Sequence, residues 1–516
     1  MNRRMENKYR MAEWLTTLGG ILAGDLEEAQ QEKLTEGWRI VLTHQFHDII
    51  PGSSIREVYE DSHINYEKAD ALAEEVIDDF FKKEVTLSEC WTILNPVAES
   101  MPAVVWVENA KPAGFAGKNG KVHVSQPGEN GSWVYVEELP AMGKYEIYPV
   151  KEWQESAEKT ARVTMDTAGK LFRHIETRYY EVELTSCGQL ARLYDRENHR
   201  EILESGQRGN VLQIFEDMPL SYDAWDIDIF YMEKMEEITG LTRMELVENG
   251  PVRTVIALEW EYHNSRIYQN LILYADLRKI DFETRVDWHE KRKLLKVAFP
   301  VDIRATEATY DIQYGNVKRP THYNTSWDMA KFEQVGHRFA DISEYGYGVA
   351  LMNDCKYGYD IHENVMRLSL LRGTTWPDYK ADMGEHIFTY SLLPHTGSFV
   401  EGKVVENAAY LNQAPLVKAG KVSLPADEKG STFCLKGAKV ELDAVKKSEN
   451  GKYLVIRFHE YAGARGEVIV KTGFPVKAWA ESDLMERPLE DFHRESEILK
   501  YIKPYEIITL LLEIEL

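Results

Sequence analysis

Cysteine is scarce in this sequence, and the few cysteines form no metal-binding or cross-linking pattern. Only four occur among 516 residues, and no two of them make a CxxC pair. Their wide spacing indicates neither a thiolate zinc site nor a disulfide framework. We therefore expect a reducing compartment, with the cytoplasm as the simplest setting. The cysteines are Cys90, Cys187, Cys355 and Cys434.

Positive charge is also in short supply, and no apolar run is long enough to span a membrane. The 61 Lys and Arg residues are outnumbered by 85 Asp and Glu residues, giving a formal net charge of −24 at pH 7. This charge disfavours a nucleic-acid partner, because phosphate binding needs clustered cations. No apolar stretch reaches the roughly 20 residues of a membrane span. A neutral ligand such as a glycan suits this surface better.

The sequence changes character once, near residue 85. Before that point apolar residues recur at helical spacing in three stripes, which predicts a three-helix bundle with the helices confined to this region. Capping-box patterns mark two helix starts. One is Asp25 with Glu28, and the other is Ser54 with Glu57. The stripes are Met11, Trp14, Leu15, Leu18 and Leu22; Leu34, Trp38, Val41 and Leu42; and Ile55, Val58, Tyr59, Tyr66, Ala69, Ala73, Val76 and Phe80.

After residue 85 short runs of β-branched and aromatic residues are separated by Gly, Pro, Asn and Asp, a pattern typical of strands. The runs at 103–107, 179–184 and 468–470 are examples. No amphipathic helices separate the strands, so we predict antiparallel β-sandwiches rather than a parallel sheet with crossover helices. The expected fold class is mainly β with an N-terminal α-helical bundle, and 516 residues suggest about three or four domains.

The segment from Gln45 to Ile55, QFHDIIPGSSI, carries the most specific signal in the chain. It closely resembles a signature of glycoside hydrolase family 38, the retaining α-mannosidases. Further segments with the same resemblance follow in order along the chain, which makes a chance match improbable. They are residues 210–219, 223–226, 319–322, 324–328, 353–358 and 390–395.

The resemblance implies a domain order and a missing part. A helical middle domain, a small β-sandwich, a large β supersandwich and a C-terminal β-sandwich are expected at residues 1–85, 86–155, 156–415 and 416–516. In the family a large N-terminal catalytic α/β domain comes before the signature, whereas only 44 residues precede Gln45 here. The resemblance therefore implies one edge of an α-mannosidase active site, without the domain that holds the nucleophile.

The resemblance also implies roles for His47 and Asp48. In the family the matching His is a zinc ligand, and the adjacent Asp contacts sugar hydroxyls. Helix geometry, at about 100° per residue, bears on the same point. It places Gly37, Ile40, His44 and His47 roughly opposite the apolar stripe, on a second face that we predict to meet another body. His47 and Asp48 are thus expected to be exposed beside loops of the large β domain.

His44 has a different interpretation from His47. We interpret it as a structural residue, partly buried and bonded to a carbonyl group near a helix end, where an imidazole also suits the helix dipole.

Zinc sites usually take three or more protein ligands, and in the family a His-x-Asp pair and the nucleophilic Asp supply the others. None of the 15 His residues here is followed by Asp two positions later. We therefore expect zinc in the complete enzyme and none bound by this chain alone. Sequence spacing identifies no pair of catalytic carboxyl groups, so no residue of this chain is assigned to catalysis.

Two further substrate-binding candidates lie in the predicted β region. Asp226 ends the segment 223–226, in which carboxylates that can bind sugar hydroxyls flank a Trp ring that can stack on a sugar. The alternative is a satisfied turn with a core Trp. Arg372 opens a loop from which it can reach an active site, and the resemblance suggests such an Arg. The alternative is an ion pair with Asp378 or Asp382.

Two classes of function remain open. The first is the C-terminal portion of a zinc-dependent α-mannosidase that acts on α-mannosides or oligomannose glycans. In that case the chain is inactive without its N-terminal catalytic domain, and apolar surface left bare is expected to promote self-association. The second is a stand-alone carbohydrate-binding or scaffolding protein built from the same β domains.

Overall fold

Three long helices and then a succession of antiparallel strands build the chain, which confirms the predicted fold class. The computed structural model describes residues 1–24, 28–151, 160–165, 172–495 and 497–514. The strands that neighbour one another in the sheets of these residues pair antiparallel. No helix within the same residues is long and apolar enough to cross a membrane.

The helices extend beyond the predicted N-terminal region, because two short ones and a 3₁₀ turn (Ile229–Glu233) occur among the strands. The α-helices are α1 (Asn2–Ala23), α2 (Glu28–Thr43), α3 (Arg56–Glu84), α4 (Ser326–Met329) and α5 (Val404–Asn412).

The strands of the described residues form seven sheets, and their bounds in chain order are as follows. They are β1 (Val85–Asn95), β2 (Met101–Glu108), β3 (Gly114–Gly117), β4 (Val122–His123), β5 (Ser125–Pro127), β6 (Gly131–Leu139), β7 (Gly143–Val150), β8 (Arg162–Met165), β9 (Phe172–Glu176), β10 (Tyr180–Leu184), β11 (Leu190–Asp195), β12 (Arg200–Glu201), β13 (Val211–Glu216), β14 (Met235–Glu237), β15 (Leu241–Asn249), β16 (Arg253–Tyr262), β17 (Ser265–Tyr274), β18 (Ile280–Trp288), β19 (Lys293–Pro300), β20 (Glu307–Ile312), β21 (Gly315–Pro320), β22 (Gln334–Val335), β23 (Phe339–Glu344), β24 (Tyr347–Asn353), β25 (Gly358–His362), β26 (Val365–Leu371), β27 (Gly384–Thr396), β28 (Leu416–Val422), β29 (Phe433–Gly437), β30 (Val440–Lys447), β31 (Leu454–Glu460), β32 (Gly466–Thr472), β33 (Val476–Ser482), β34 (Ile498–Ile502) and β35 (Ile507–Ile514).

The prediction that four residues of α2 form a second face opposite the apolar stripe is wrong for two of them. Gly37 and His44 are buried, on the same side of the helix as Leu34 and Val41. The reason is that α2 packs against both α1 and α3, so its buried arc is wider than one stripe. Gly37 gives room to Tyr9 of α1, because a Cβ atom at position 37 would lie 1.5 Å from the Tyr9 hydroxyl oxygen.

The predicted capping box at Ser54 with Glu57 does not form. Helix α3 begins at Arg56, with Ile55 as its N-cap and no side-chain cap. The backbone N–H of Ser54 instead donates to the Tyr59 hydroxyl oxygen at 2.8 Å. Asp25 of the other predicted capping box lies outside the described residues.

A small β-sandwich follows the bundle. One sheet has the order β28-β1-β7-β3-β4 and the other β2-β6-β5. Strand β28 pairs with β1, with Leu416 opposite Leu94 and Val422 opposite Val85. Residues 416–422, assigned above to the C-terminal domain, therefore complete a sheet that begins before the large domain.

The large domain is built on a nine-stranded sheet (β15-β16-β17-β18-β27-β24-β23-β20-β21), a six-stranded sheet (β14-β13-β19-β26-β25-β22) and a five-stranded sheet (β12-β11-β10-β9-β8). One apolar core joins all three sheets, with Trp260, Phe282, Phe299 and Tyr390 among its fully buried side chains. The loops that leave β13 and β26 emerge from the six-stranded sheet and reach towards the helical bundle.

The C-terminal sandwich has sheets β29-β32-β34 and β30-β31-β35-β33. Its core is continuous with that of the helical bundle, since Trp14 and Leu18 of α1 belong to the same buried cluster as Val440, Leu442 and Leu510. The bundle is thus packed against the last domain of the chain.

Candidate functional site

A turn between α2 and α3 carries His47 and Asp48. Helix α2 ends at Thr43, and the N–H of Ile50 then donates to the Phe46 carbonyl group at 3.1 Å. The His47 side chain is 69% exposed and that of Asp48 46%, with Nε2 and Oδ2 3.6 Å apart. Both predicted ligand residues therefore present their polar atoms to solvent.

Tyr59 of α3 holds the backbone of this turn through hydrogen bonds. Its hydroxyl group lies 3.3 Å from the Asp48 carbonyl oxygen and 3.4 Å from that of Ile49. Burial raises the pKa of Tyr59, so the hydroxyl keeps its proton for these bonds. The turn is consequently fixed on its inner side, while the side chains of His47 and Asp48 stay free on its outer side.

His44 is a structural residue, as the sequence indicates. It is buried, its Nδ1 lies 2.7 Å from the Ile40 carbonyl oxygen, and its ring centroid is 4.8 Å from that of Tyr66. A carbonyl oxygen only accepts, so Nδ1 carries the proton.

The loop after β13 meets this turn through Trp225. The ring centroids of His47 and Trp225 are 6.4 Å apart in an edge-to-face arrangement. Trp225 is 55% exposed, so the interpretation of a core Trp is wrong. The partly buried Asp226 carboxylate has no hydrogen-bond or ion-pair partner among the described residues. Asp223 instead turns inward and accepts from the backbone N–H of Thr375 at 2.6 Å.

Arg372 ties this loop to the one that follows β26. Its Nε donates to Oδ2 of buried Asp217 at 2.6 Å, and its Nη2 donates to Oδ1 at 3.2 Å. It also donates to the carbonyl groups of Ala224 and Asp226. The predicted ion pair with Asp378 or Asp382 is wrong among the described residues, because the guanidinium group pairs with Asp217 and the Asp382 carboxylate accepts from the backbone N–H of Arg372.

The pKa of Asp217 reflects two opposed effects. Burial raises it, and the Arg372 guanidinium group lowers it, with burial the larger influence. Removing the guanidinium group would leave this carboxyl group buried without a charged partner.

Sequence analysis identified Trp225 but none of the other exposed aromatic side chains in these loops. Arg56 at the start of α3 lies 6.0 Å from the Tyr379 ring centroid, which brings the loop after β26 against the bundle. The large aromatic residues in the loops after β13 and β26 are the signal that could have found them. The exposed aromatic residues of the three segments are Phe46, Tyr222, Trp225, Phe230, Trp376 and Tyr379.

The chain offers few ligands for a metal ion. Within the described ranges, no group of three or more His, Cys, Asp or Glu side chains lies close enough together to hold one. Asp48 is the potential co-ligand beside His47 in the part of the chain that the structure describes. Because zinc sites take three or more protein ligands, these residues alone do not fit zinc.

Family models match three parts of the chain. The Alpha mannosidase middle domain matches residues 1–83, which include His47 and Asp48. The Glycosyl hydrolases family 38 C-terminal domain matches residues 175–380, which include Asp226 and Arg372. The Glycosyl hydrolases family 38 C-terminal beta sandwich domain matches residues 439–510.

Relatives extend the similarity over nearly the whole chain. Human Alpha-mannosidase 2C1 is 33% identical over 93% of this chain and 45% of its own length, and Alpha-mannosidase G of Dictyostelium discoideum is 32% identical over 98% and 50%. The chain thus spans about half the length of these relatives. An alpha-mannosidase structure from Enterococcus faecalis has the same fold, with a TM-score of 0.78 at 16% identity, covering 99% of this chain and 66% of that one. The chain belongs to glycosyl hydrolase family 38, of which it carries the middle domain, the C-terminal domain and the C-terminal β-sandwich domain.

Proposed function

We propose that this chain is the C-terminal portion of a zinc-dependent retaining α-mannosidase that removes terminal α-mannosyl residues. The names of its relatives and the three family domains support the reaction class. A retaining glycosidase needs two carboxyl groups about 5–5.5 Å apart, one as nucleophile and one as acid/base. On this proposal an N-terminal domain supplies the nucleophile, and this chain supplies part of the substrate and metal site.

In the complete enzyme His47 binds zinc, and Asp48 and Asp226 accept hydrogen bonds from sugar hydroxyl groups. The observation that carries this assignment is the turn itself, whose backbone is bonded to Tyr59 while His47 is 69% exposed. A fixed turn with outward imidazole and carboxylate groups loses little conformational freedom when a ligand binds. Zinc would act there as a template and Lewis acid for the sugar.

Arg372 has mainly a positioning role in this proposal. Its contacts with Asp217, Ala224 and Asp226 use four of its five N–H groups, so one N–H on Nη1 is left for a substrate hydroxyl. Its main contribution is to hold Trp225 and Asp226 beside His47.

The assay compares this chain alone with the same chain joined to, or expressed with, an N-terminal family 38 catalytic domain. We expect negligible turnover of an aryl α-mannoside by the chain alone, because catalytic groups act as a unit. With the catalytic domain, turnover should appear and should be lost on chelation. Chelator-sensitive turnover by the isolated chain at the rate of the complete enzyme would contradict the proposal.

A pair of variants tests His47 in that complete enzyme. His47→Ala should lower turnover by about 100-fold or more, since losing a metal ligand removes at least as much as losing its second-shell partner. The thermal unfolding midpoint should not change, because the side chain is exposed. His63→Ala, at an exposed position of α3, is the matched control and should keep full activity. An unchanged rate in His47→Ala would make His47 structural.

The alternative of a non-catalytic carbohydrate-binding protein has one observation in its favour, the exposed Trp225 and Trp376. It predicts that the isolated chain binds α-mannosides and quenches tryptophan fluorescence, with no loss in His47→Ala. Binding that requires the catalytic domain would favour the enzyme.

A further inference from the structure

A cleft of about 700 Å³ opens where the helical bundle, the large β domain and the C-terminal sandwich meet. Helices α1 and α2 form one wall, residues 312–314 and 337–338 a second, and residues 441–459 the third. His47, Asp226 and Arg372 are not among its lining residues. Its size falls within the range of small-molecule sites.

Four of the five arginines on this cleft have no acidic partner. Among the described residues, no carboxylate lies within 4.0 Å of Arg3, Arg10, Arg39 or Arg457. Arg10 donates to the Leu442 carbonyl group at 2.5 Å, and Arg457 donates to the Thr509 hydroxyl group at 3.0 Å. Unpaired guanidinium groups are unexpected in a chain with a net charge of −24.

Arg3 is the clearest case, because it is only 3% exposed. Its Nη atoms donate to Asn353 Oδ1 at 2.7 Å and to the Lys356 carbonyl group at 2.8 Å, whereas its buried Nε has no partner in the described residues. A buried cation paired only with neutral acceptors is costly, so the charge favours an anion nearby.

Three carboxylates of the cleft have a basic partner. Glu441 pairs with Arg338, Asp443 lies 2.9 Å from His459 Nδ1, and Glu449 lies 3.3 Å from Lys446 Nζ. Arg338 also pairs with Asp311, and Lys446 also pairs with Glu486.

Two acidic residues remain, Glu13 and Glu6. Burial raises the pKa of Glu13 to about 7, and its Oε1 accepts from Trp38 Nε1 at 2.9 Å. Lys446, Arg10 and Arg457 each lower that pKa, so all three cations lie near this one carboxyl group. Glu6 accepts from the Gln45 amide at 2.7 Å and has no cation partner among the described residues. Six Lys and Arg residues line the cleft against five Asp and Glu residues, so the lining has one more cation than carboxyl groups.

We propose that this cleft binds a sugar phosphate, with the phosphate dianion on Arg10 and Arg457 and the sugar against Tyr314. Guanidinium groups match the geometry of phosphate oxygens and bind them through paired hydrogen bonds. Tyr314 is 45% exposed and gives a sugar ring an apolar face. The side-chain amides of Asn7, Gln31 and Gln313 on the walls can donate to and accept from hydroxyl groups.

Isothermal titration calorimetry on the purified chain tests this site with glucose 6-phosphate, inorganic phosphate, glucuronate and glucose. We expect a Kd below about 1 mM for glucose 6-phosphate, weaker binding of inorganic phosphate and glucuronate, and none of glucose. Affinity should fall as salt is added, because the pairing is electrostatic. Equal affinity for inorganic phosphate or glucuronate, or no binding of glucose 6-phosphate, would overturn the proposal.

Two arginine variants test whether the phosphate binds in this cleft. Arg457→Gln and Arg10→Gln should each weaken glucose 6-phosphate at least about tenfold. Arg285→Gln, at a half-exposed arginine of β18, is the matched control and should bind as the parent chain does. Among the described residues the Arg457 side chain donates to the Thr509 hydroxyl group and to no backbone group, so its variant should fold even if Arg10→Gln does not. Unchanged affinity in Arg457→Gln, at an unchanged unfolding midpoint, would show that the phosphate binds elsewhere.

Discussion

At the scale of single residues, the stability of the candidate site depends most on Arg372. Arg372→Ala leaves Asp217, 1% exposed, without its partner, and should destabilise the large domain by about 3–5 kcal/mol. Urea unfolding followed by fluorescence measures this loss. Arg285→Ala removes an exposed ion pair with Glu385 and should cost less than about 1 kcal/mol. Equal losses would mean that Arg372 does not hold the loop after β13.

The same residues mark what could be predicted from sequence. The exposure of His47 was predictable from the signature, although the helix angles offered a wrong reason, because α2 ends at Thr43. The partner of Arg372 was not predictable, since Asp217 directly follows a different strand of the six-stranded sheet, β13. Two nearer carboxylates, Asp378 and Asp382, were equally reasonable until the loop conformation was known.

At the scale of elements, the contact of α1 with α2 depends on Gly37. Gly37→Ala would place a Cβ atom 2.1 Å from Tyr9 Cζ, so the helices must separate. We expect a loss of about 1–3 kcal/mol, the usual cost of overpacking, even though Ala favours helix formation. Thermal unfolding by circular dichroism measures it, with Glu32→Ala on the exposed side of α2 as the control. A gain in stability would mean that the two helices adjust freely.

Secondary-structure elements were predictable where one hydrophobic period continued over several turns. The stripes of α1 and α3 indicated helices because their buried residues recur over several turns. Helix starts were less predictable, since Ser54 gives its backbone N–H to Tyr59 and its side chain does not cap α3. Strand pairing over long separations, such as β1 with β28, leaves no local pattern in the sequence.

At the scale of the whole molecule, Glu13 couples stability to pH where the bundle meets the C-terminal sandwich. Its pKa rises from 4.5 to about 7 on burial. Between these values the unfolded chain loses the proton and the folded chain keeps it, so the free energy of unfolding falls as pH rises and then levels off above pH 7. This group contributes up to about 3 kcal/mol of that fall.

Glu13→Gln should therefore flatten the pH dependence of stability and make the chain more stable at pH 8 than the parent. Glutamine still accepts from Trp38, so packing is preserved. Urea unfolding at pH 5, 6, 7 and 8 measures the slope, with the exposed Glu67→Gln as the control. An unchanged slope would assign the effect to other buried acids such as Glu99, whose pKa burial also raises to about 7.

The pairing of β28 with β1 makes the large β domain an insertion within another domain. The small sandwich begins before it and gains its edge strand after it, so the inserted domain is tethered at both ends. During synthesis, the edge of β1 that pairs with β28 stays unpaired until the whole insertion and β28 have left the ribosome. A ribosome-bound chain stalled before residue 416 should therefore expose that edge to chaperones, whereas one stalled far enough beyond residue 422 for β28 to have left the exit tunnel should not.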